Sequence, residues 1–177
     1  MTTQRSMIHP SNAIVLDSQN LHVQTMKVEV ATNMYAGRLV KKGTGDDDAV
    51  VCTSGADAIG WLGYEQTAKK HRPATVDTIY AINSQAAIIN GPGIVLVASI
   101  PDGQTITKGM RLCATADGQL IEASAAAPPS GTVAVTSTSA QPTMAGPLST
   151  LGIVVAIAEE SVTASEASAD ILVRSLI

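Results

Sequence analysis

Phenylalanine is absent from this 177-residue chain, and aromatic residues make up only 2% of it: Trp61, Tyr35, Tyr64 and Tyr80. A core without Phe must be aliphatic. Ala, Val, Ile and Leu bury less area each, and burial contributes only about 25 cal/mol per Å². Charge is scarce as well, at 15% against about 25% in an average globular protein. Burying surface between subunits is one way for such a chain to gain what its own core lacks, so an oligomer is expected. The formal net charge of -4 and pI of about 5.2 argue against a nucleic-acid partner, which calls for a basic surface. Cys52 and Cys113 stand alone in apolar runs, as small buried hydrophobes would in a reducing compartment. A disulfide between them requires the regions around them to abut. No apolar run reaches the ~18 residues of a membrane span. Ala13–Leu16 is too short for the roughly 7–15-residue core of a signal peptide, so no membrane partner and synthesis in the cytoplasm are expected.

What the chain does have is short apolar runs punctuated by glycine and Asp-Gly or Asn-Gly turns. Residues 1–12 mix Thr, Gln, Ser, Pro and Asn without period and read as an extended N-terminal arm. Residues 13–177 read as a single β-rich domain. Leu21, Val23, Val28 and Val30 have strand spacing. Strands are expected at Leu39-Val40, Ala49–Cys52, Ile59–Tyr64, Thr78–Ile82, Ala86–Ile89, Ile94–Ile100, Met110–Thr115, Gln119–Glu122, Leu151–Ala158 and Ile171–Ile177. Turns fall at residues 41–48, 90–93, 101–103 and Asp117-Gly118. Ile94–Ile100, Met110–Thr115 and Gln119–Glu122 are expected to form a meander. Residues 123–150, rich in Ala, Ser, Thr, Pro and Gly, read mostly as loop. Short strands with regular turns predict an all-β barrel or sandwich.

The chain also echoes itself. Gly37-Arg38-Leu39-Val40 returns as Gly109-Met110-Arg111-Leu112, and Gly60-Trp61-Leu62-Gly63 is matched to Gly152-Ile153-Val154-Val155. This suggests a two-module internal repeat, with modules at about 35–65 and 94–177 and extra residues near 126–146 in the second.

Candidate chemistry is sparse. Asp46-Asp47-Asp48 offers clustered carboxylates, but contiguous side chains on a turn point apart and the alternate spacing of a calcium loop is missing. His9, His22 and His71 lack metal-ligand spacing. No hydrolase, phosphate-loop or dinucleotide motif occurs. Catalytic, cofactor-binding and metal-ligating residues are therefore read as none, and the chain as no enzyme. Lys69, Lys70 and Arg72, with His71 among them, form a basic loop suited to an electrostatic contact with an acidic protein neighbour. Trp61 and Tyr64 read as anchors of a core or a subunit interface.

Taken together, these patterns resemble the capsid decoration, or cement, proteins of tailed bacteriophages. That family shows a Gly-x-Leu-Val or Lys-Gly-x-x-Leu strand, an Asp-Gly-x-Leu hairpin, an Ala/Thr-rich stretch and a closing apolar strand. Their counterparts here are Ala36–Val40, Ile59–Leu62, Lys108–Leu112, Asp117–Leu120 and Leu151–Ala156, spanning about 35–65 and 94–177. The arm and the segment around 66–92 are additional. The resemblance implies a β-barrel or β-tulip subunit without cofactor. It would form a homotrimer on the capsid exterior of the virion and cement neighbouring major capsid proteins. Met7, Ile8, His9 and Pro10 of the arm are then candidate capsid contacts. A head fibre, tail or minor head component is the alternative, followed by a small carrier or enzyme barrel.

Overall fold

The computed structural model describes residues 12–18, 20–53, 57–123 and 153–177. The chain is all-β. Among the described residues helix is limited to short 3-10 pieces, such as the turn at Ala116–Gly118, and no helix is long and apolar enough to cross a membrane. Strand β1 (Val15–Asp17) comes first. A closed barrel follows, made of β2 (His22–Val28), β3 (Leu39–Lys42), β4 (Asp48–Val51), β5 (Ala58–Leu62) and β6 (Gln85–Asn90), in the order β2-β4-β3-β5-β6. Next come β7 (Val95–Ile100), β8 (Thr105–Ile106), β9 (Arg111–Ala114), β10 (Leu120–Glu122), β11 (Val154–Ala158), β12 (Val162–Thr163) and β13 (Ala169–Ser175). They form a six-stranded sheet, β1-β7-β13-β11-β9-β10, and a small β8–β12 pair.

The two halves repeat one topology. Antiparallel pairs β2–β6, β3–β4, β3–β5 and β5–β6 are matched by β7–β13, β9–β10, β9–β11 and β11–β13. The register matches as well. Leu39 faces Trp61 and Val40 faces Gly60; correspondingly, Arg111 faces Ile157 and Leu112 faces Ala156. Both ladders then skip one residue, Ile59 in β5 and Val155 in β11, as at a β-bulge. Gly37 and Gly109, both at positive φ, donate N–H to the Leu62 and Ala158 carbonyls at 2.8 Å. In the first half, β2 and β4 close the barrel as a parallel pair, where Lys27 Nζ lies 2.8 Å from Asp48 Oδ1. At the corresponding place β10 returns to β7, and Gln119 Nε2 donates to Ser99 Oγ at 3.1 Å.

The interiors correspond residue by residue. Met26, Val28, Val40, Ala49, Leu62, Ala86 and Ile88 fill the first barrel; Ala98, Ile100, Leu112, Leu120, Ala158, Ile171 and Val173 occupy the same places in the second half, and all are buried. Strand alternation then turns Leu39, Trp61 and Ile89 outward from the first barrel. They are nonetheless fully buried, because they join the second half's residues in one continuous cluster. Backbone contacts lock the junction: Gly91 N–H donates to Ile177 O at 2.8 Å and Gly118 N–H to Cys52 O at 2.8 Å.

Several expectations from the sequence are corrected. The repeat is real as topology, but Gly60-Trp61 corresponds to Ala156-Ile157, four residues beyond the pair expected. The first repeating unit begins at β2, ahead of the expected start at about 35, and the second begins at β7. Ile94–Ile100 does not join a meander, since β7 pairs with β13 and β1 while β9 pairs with β10 and β11. Thr78–Ile82 is not a strand; it belongs to the link between β5 and β6, and Tyr80 N–H is bonded across to Met34 O at 2.9 Å. Cys52 and Cys113 are both buried and form no disulfide. Most of the Ala/Thr-rich stretch 123–150 lies outside the described residues, as does nearly all of the arm.

Candidate docking cleft

The halves differ most where loops can vary without disturbing the frame. In the second half the link from β11 to β13 is short and holds β12. The corresponding link in the first half runs from Gly63 to Ser84 and carries the basic loop. Its shape is set by two tyrosines. Tyr64 is buried, and its hydroxyl donates toward the Ala74 and Pro73 carbonyls at 3.0 and 3.2 Å. Tyr80 is fully buried and donates to Gly63 O at 2.6 Å. Between them the Thr67 hydroxyl accepts from Ala87 N–H at 2.9 Å, which ties the loop to β6. The Arg72 guanidinium lies 5.0 Å from the centre of the Tyr64 ring, within cation–π range. His71 and Arg72 N–H both donate to Ala68 O.

This framework holds open a cleft of about 410 Å³. Its lining includes Lys70, His71 and Arg72 together with Ile79, Ile82 and Asn83. Ile82 is 59% exposed and Ile79 37%, a real apolar surface beside fixed positive charge. Asn83 sits at φ 62, a left-handed turn that Asn tolerates, with its N–H on Val28 O at 2.8 Å. Such a lining can hold an acidic segment with apolar side chains: cations at the rim meet carboxylates while the isoleucines take up apolar groups.

The remaining sequence candidates are scattered. Lys69 is exposed on the same loop but does not line the cleft. Trp61 is fully buried at the junction of the halves, its indole N–H donating to Ser175 Oγ at 3.0 Å, so Trp61 and Tyr64 are core residues of the chain itself. The acidic triplet diverges: Asp46 pairs with Lys42 at 2.9 Å and Asp48 with Lys27 at 2.8 Å. His22 is exposed on β2, away from His71 in the link. Among the described residues no group of three or more His, Cys, Asp or Glu is placed to hold a metal ion. Met7, Ile8, His9 and Pro10 lie outside the described residues. Sequence reasoning found the cations but missed Ile79, Ile82 and Asn83, which it assigned to a strand and its end. The Asn83-Ser84 pair after an apolar run was the available signal that the chain turns there.

Neither the family-model comparison nor the comparison with curated proteins gives a match. Among solved structures, the chain is similar to the head fiber gp8.5 N base in bacteriophage phi29, at 14% identity and a TM-score of 0.43 over 88% of this chain and 93% of that one. At those values the likeness is one of general outline.

Proposed function

We propose that the chain is a structural virion protein that binds the outside of a tailed-phage capsid as a trimer and cements neighbouring major capsid proteins. The observation that carries this reading is the cleft: Lys70 and Arg72 stand beside exposed Ile79 and Ile82 on a link braced internally by Tyr64 and tied to the barrel by Thr67, which accepts from Ala87 N–H, and by Tyr80, buried in the barrel core. Rigid presentation of mixed basic and apolar surface suits docking to an acidic protein face. Backbone tied down by these bonds has less freedom to lose on binding, which lowers the entropy opposing the contact. Two of the five stretches behind the decoration-protein resemblance, Lys108–Leu112 and Asp117–Leu120, fall on one hairpin, with Arg111-Leu112 in β9 and Asp117-Gly118 at its tip. A trimer would present three such clefts, and the high effective concentration of the second and third contacts turns modest patches into firm attachment.

Co-sedimentation with expanded, undecorated shells tests the reading. The Lys69→Glu/Lys70→Glu variant changes only exposed side chains and spares the stacked Arg72. It is expected to fold normally and bind shells at least about tenfold more weakly at low salt, with the difference shrinking as salt is raised. Equal binding by the variant overturns the cleft as the docking site. Failure of the unaltered protein to bind shells overturns the cementing role and moves the protein to a fibre, tail or minor head position.

A further inference from the structure

Strand β2 has one covered edge and one open edge. It pairs with β6 from His22 to Lys27, but on its other side meets β4 only at Lys27 and Val28. His22, Val23, Gln24 and Thr25 are exposed, and among the described residues no strand lies beside them there. Lys27 N–H points to the β4 side, donating to Asp47 O at 2.7 Å. Backbone groups of alternate residues share an edge, so Val23 and Thr25 present their N–H and C=O to the open side. Unpaired edges of this kind take up added strands.

The second half shows what fits. On β7 the corresponding edge is occupied: β1 lies antiparallel on it, with Val15 opposite Leu96 and the Ile14 carbonyl accepting from Val97 N–H at 2.8 Å. Leu96 is the counterpart of Gln24, and Val97 of Thr25. The Glu65 carboxylate fixes the start of β1 by accepting from Ile14 and Val15 N–H at 3.0 and 2.9 Å. One copy of the module thus has its first strand covered by the chain's N-terminal region, and the other does not.

We propose that the open edge of β2 seats an antiparallel strand formed by residues 2–9 of a second copy of this chain. These residues immediately precede the region that already plays this part on β7. They contain no proline, include Thr2, Thr3 and Ile8, which favour strands, and end before Pro10, which biases His9 toward extended backbone. Eight extended residues span roughly 26–29 Å, ample for a four-residue edge. Direction selects a neighbour's segment. Because β1 runs against β7, the chain before Ile14 leads along β7 toward Ser99 and β10, whereas β2 starts beyond the other end of β1, after Asp17. A copy's own segment would have to reverse its course to reach β2. The segment then joins copies to each other, and this holds whether or not a capsid shell is the partner.

Amide hydrogen exchange on the full chain, read at Val23 and Thr25 across a dilution series, tests the seat. Both amides are expected to exchange at least about tenfold more slowly in the oligomer than in the diluted monomer, and a chain lacking residues 2–11 is expected to lose that protection and sediment as a monomer. Thr25→Pro removes an N–H that pairs with no strand among the described residues, so it is expected to keep the far-ultraviolet spectrum of the unaltered protein while losing the oligomer. Free exchange at both amides in the concentrated full chain overturns the proposal, as does protection that persists in the monomer, which would mean that a copy's own segment sits there. Undiminished association of the deletion or of Thr25→Pro overturns it equally.

Discussion

The Tyr80 phenol titrates inside the fold. Its ring is fully buried, its hydroxyl donates to Gly63 O, and burial pushes its pKa up to about 12. Unfolded tyrosine titrates near 10. The folded state therefore holds this proton more tightly, and the stabilisation is complete below about pH 10 and is lost as pH rises toward about 12. Urea denaturation at about pH 8 and about pH 11 should show a loss on the order of 1–2 kcal/mol from this group. Tyr80→Phe should cost about 1–2 kcal/mol at neutral pH and flatten the alkaline loss. A variant with the same alkaline slope as the parent would place the titration elsewhere. The repeat supplies a second experiment with its own control. Gly37 and Gly109 hold equivalent places at φ +79 and +88. A Cβ on Gly109 meets nothing within 4 Å, whereas on Gly37 it runs into the Val97 carbonyl oxygen of β7. Gly109→Ala should cost only the left-handed backbone penalty, about 1–2 kcal/mol, and Gly37→Ala clearly more, about 3 kcal/mol or above. Equal losses in urea denaturation would show that the junction yields at Gly37.

Individual strands were legible in the sequence where alternation and turn chemistry coincide. The β9–β10 hairpin is an example: Asp117 and Gly118 both adopt positive φ, as an Asp-Gly turn between short strands requires. Partnership was not legible. Nothing local to Val95–Ile100 announces that β13, far along the chain, will pair with it in preference to the nearer β9. The two-residue strands β8 and β12 are too short for any period to appear. Thr78–Ile82 has the composition of a strand, yet tertiary bonds from Tyr80 hold it as a link with its isoleucines facing outward. The repeat was visible at Gly37 and Gly109 because both positions need glycine's backbone. It was misaligned at the closing strand because the second half has Ala156 where the first has Gly60. Of the candidate site, the charges could be read and the apolar lining could not, since exposure of Ile79 and Ile82 is a property of the fold.

The two halves use one position in opposite ways, and this decides how the whole molecule unfolds. On the first barrel's outer face, Leu39, Trp61 and Ile89 are fully buried against the second half. The matching places on the second half are Arg111, Ile157 and Arg174; both arginines are exposed, and Arg174 pairs with Glu159 at 2.6 Å. One face is thus a junction, while its counterpart, among the described residues, carries exposed charge. Neither half has an ample interior of its own. Small units bury too little surface to stand well alone, and the first barrel has only Tyr80 among rings inside it. The junction therefore has to supply stability to both. Calorimetry, far-ultraviolet circular dichroism and Trp61 emission should report one coincident transition. Trp61→Ala should lower it by about 3–5 kcal/mol for the whole chain, not for one half. Separate transitions in the unaltered protein would mean that each half is self-sufficient and that the indole–Ser175 contact joins halves that do not need each other.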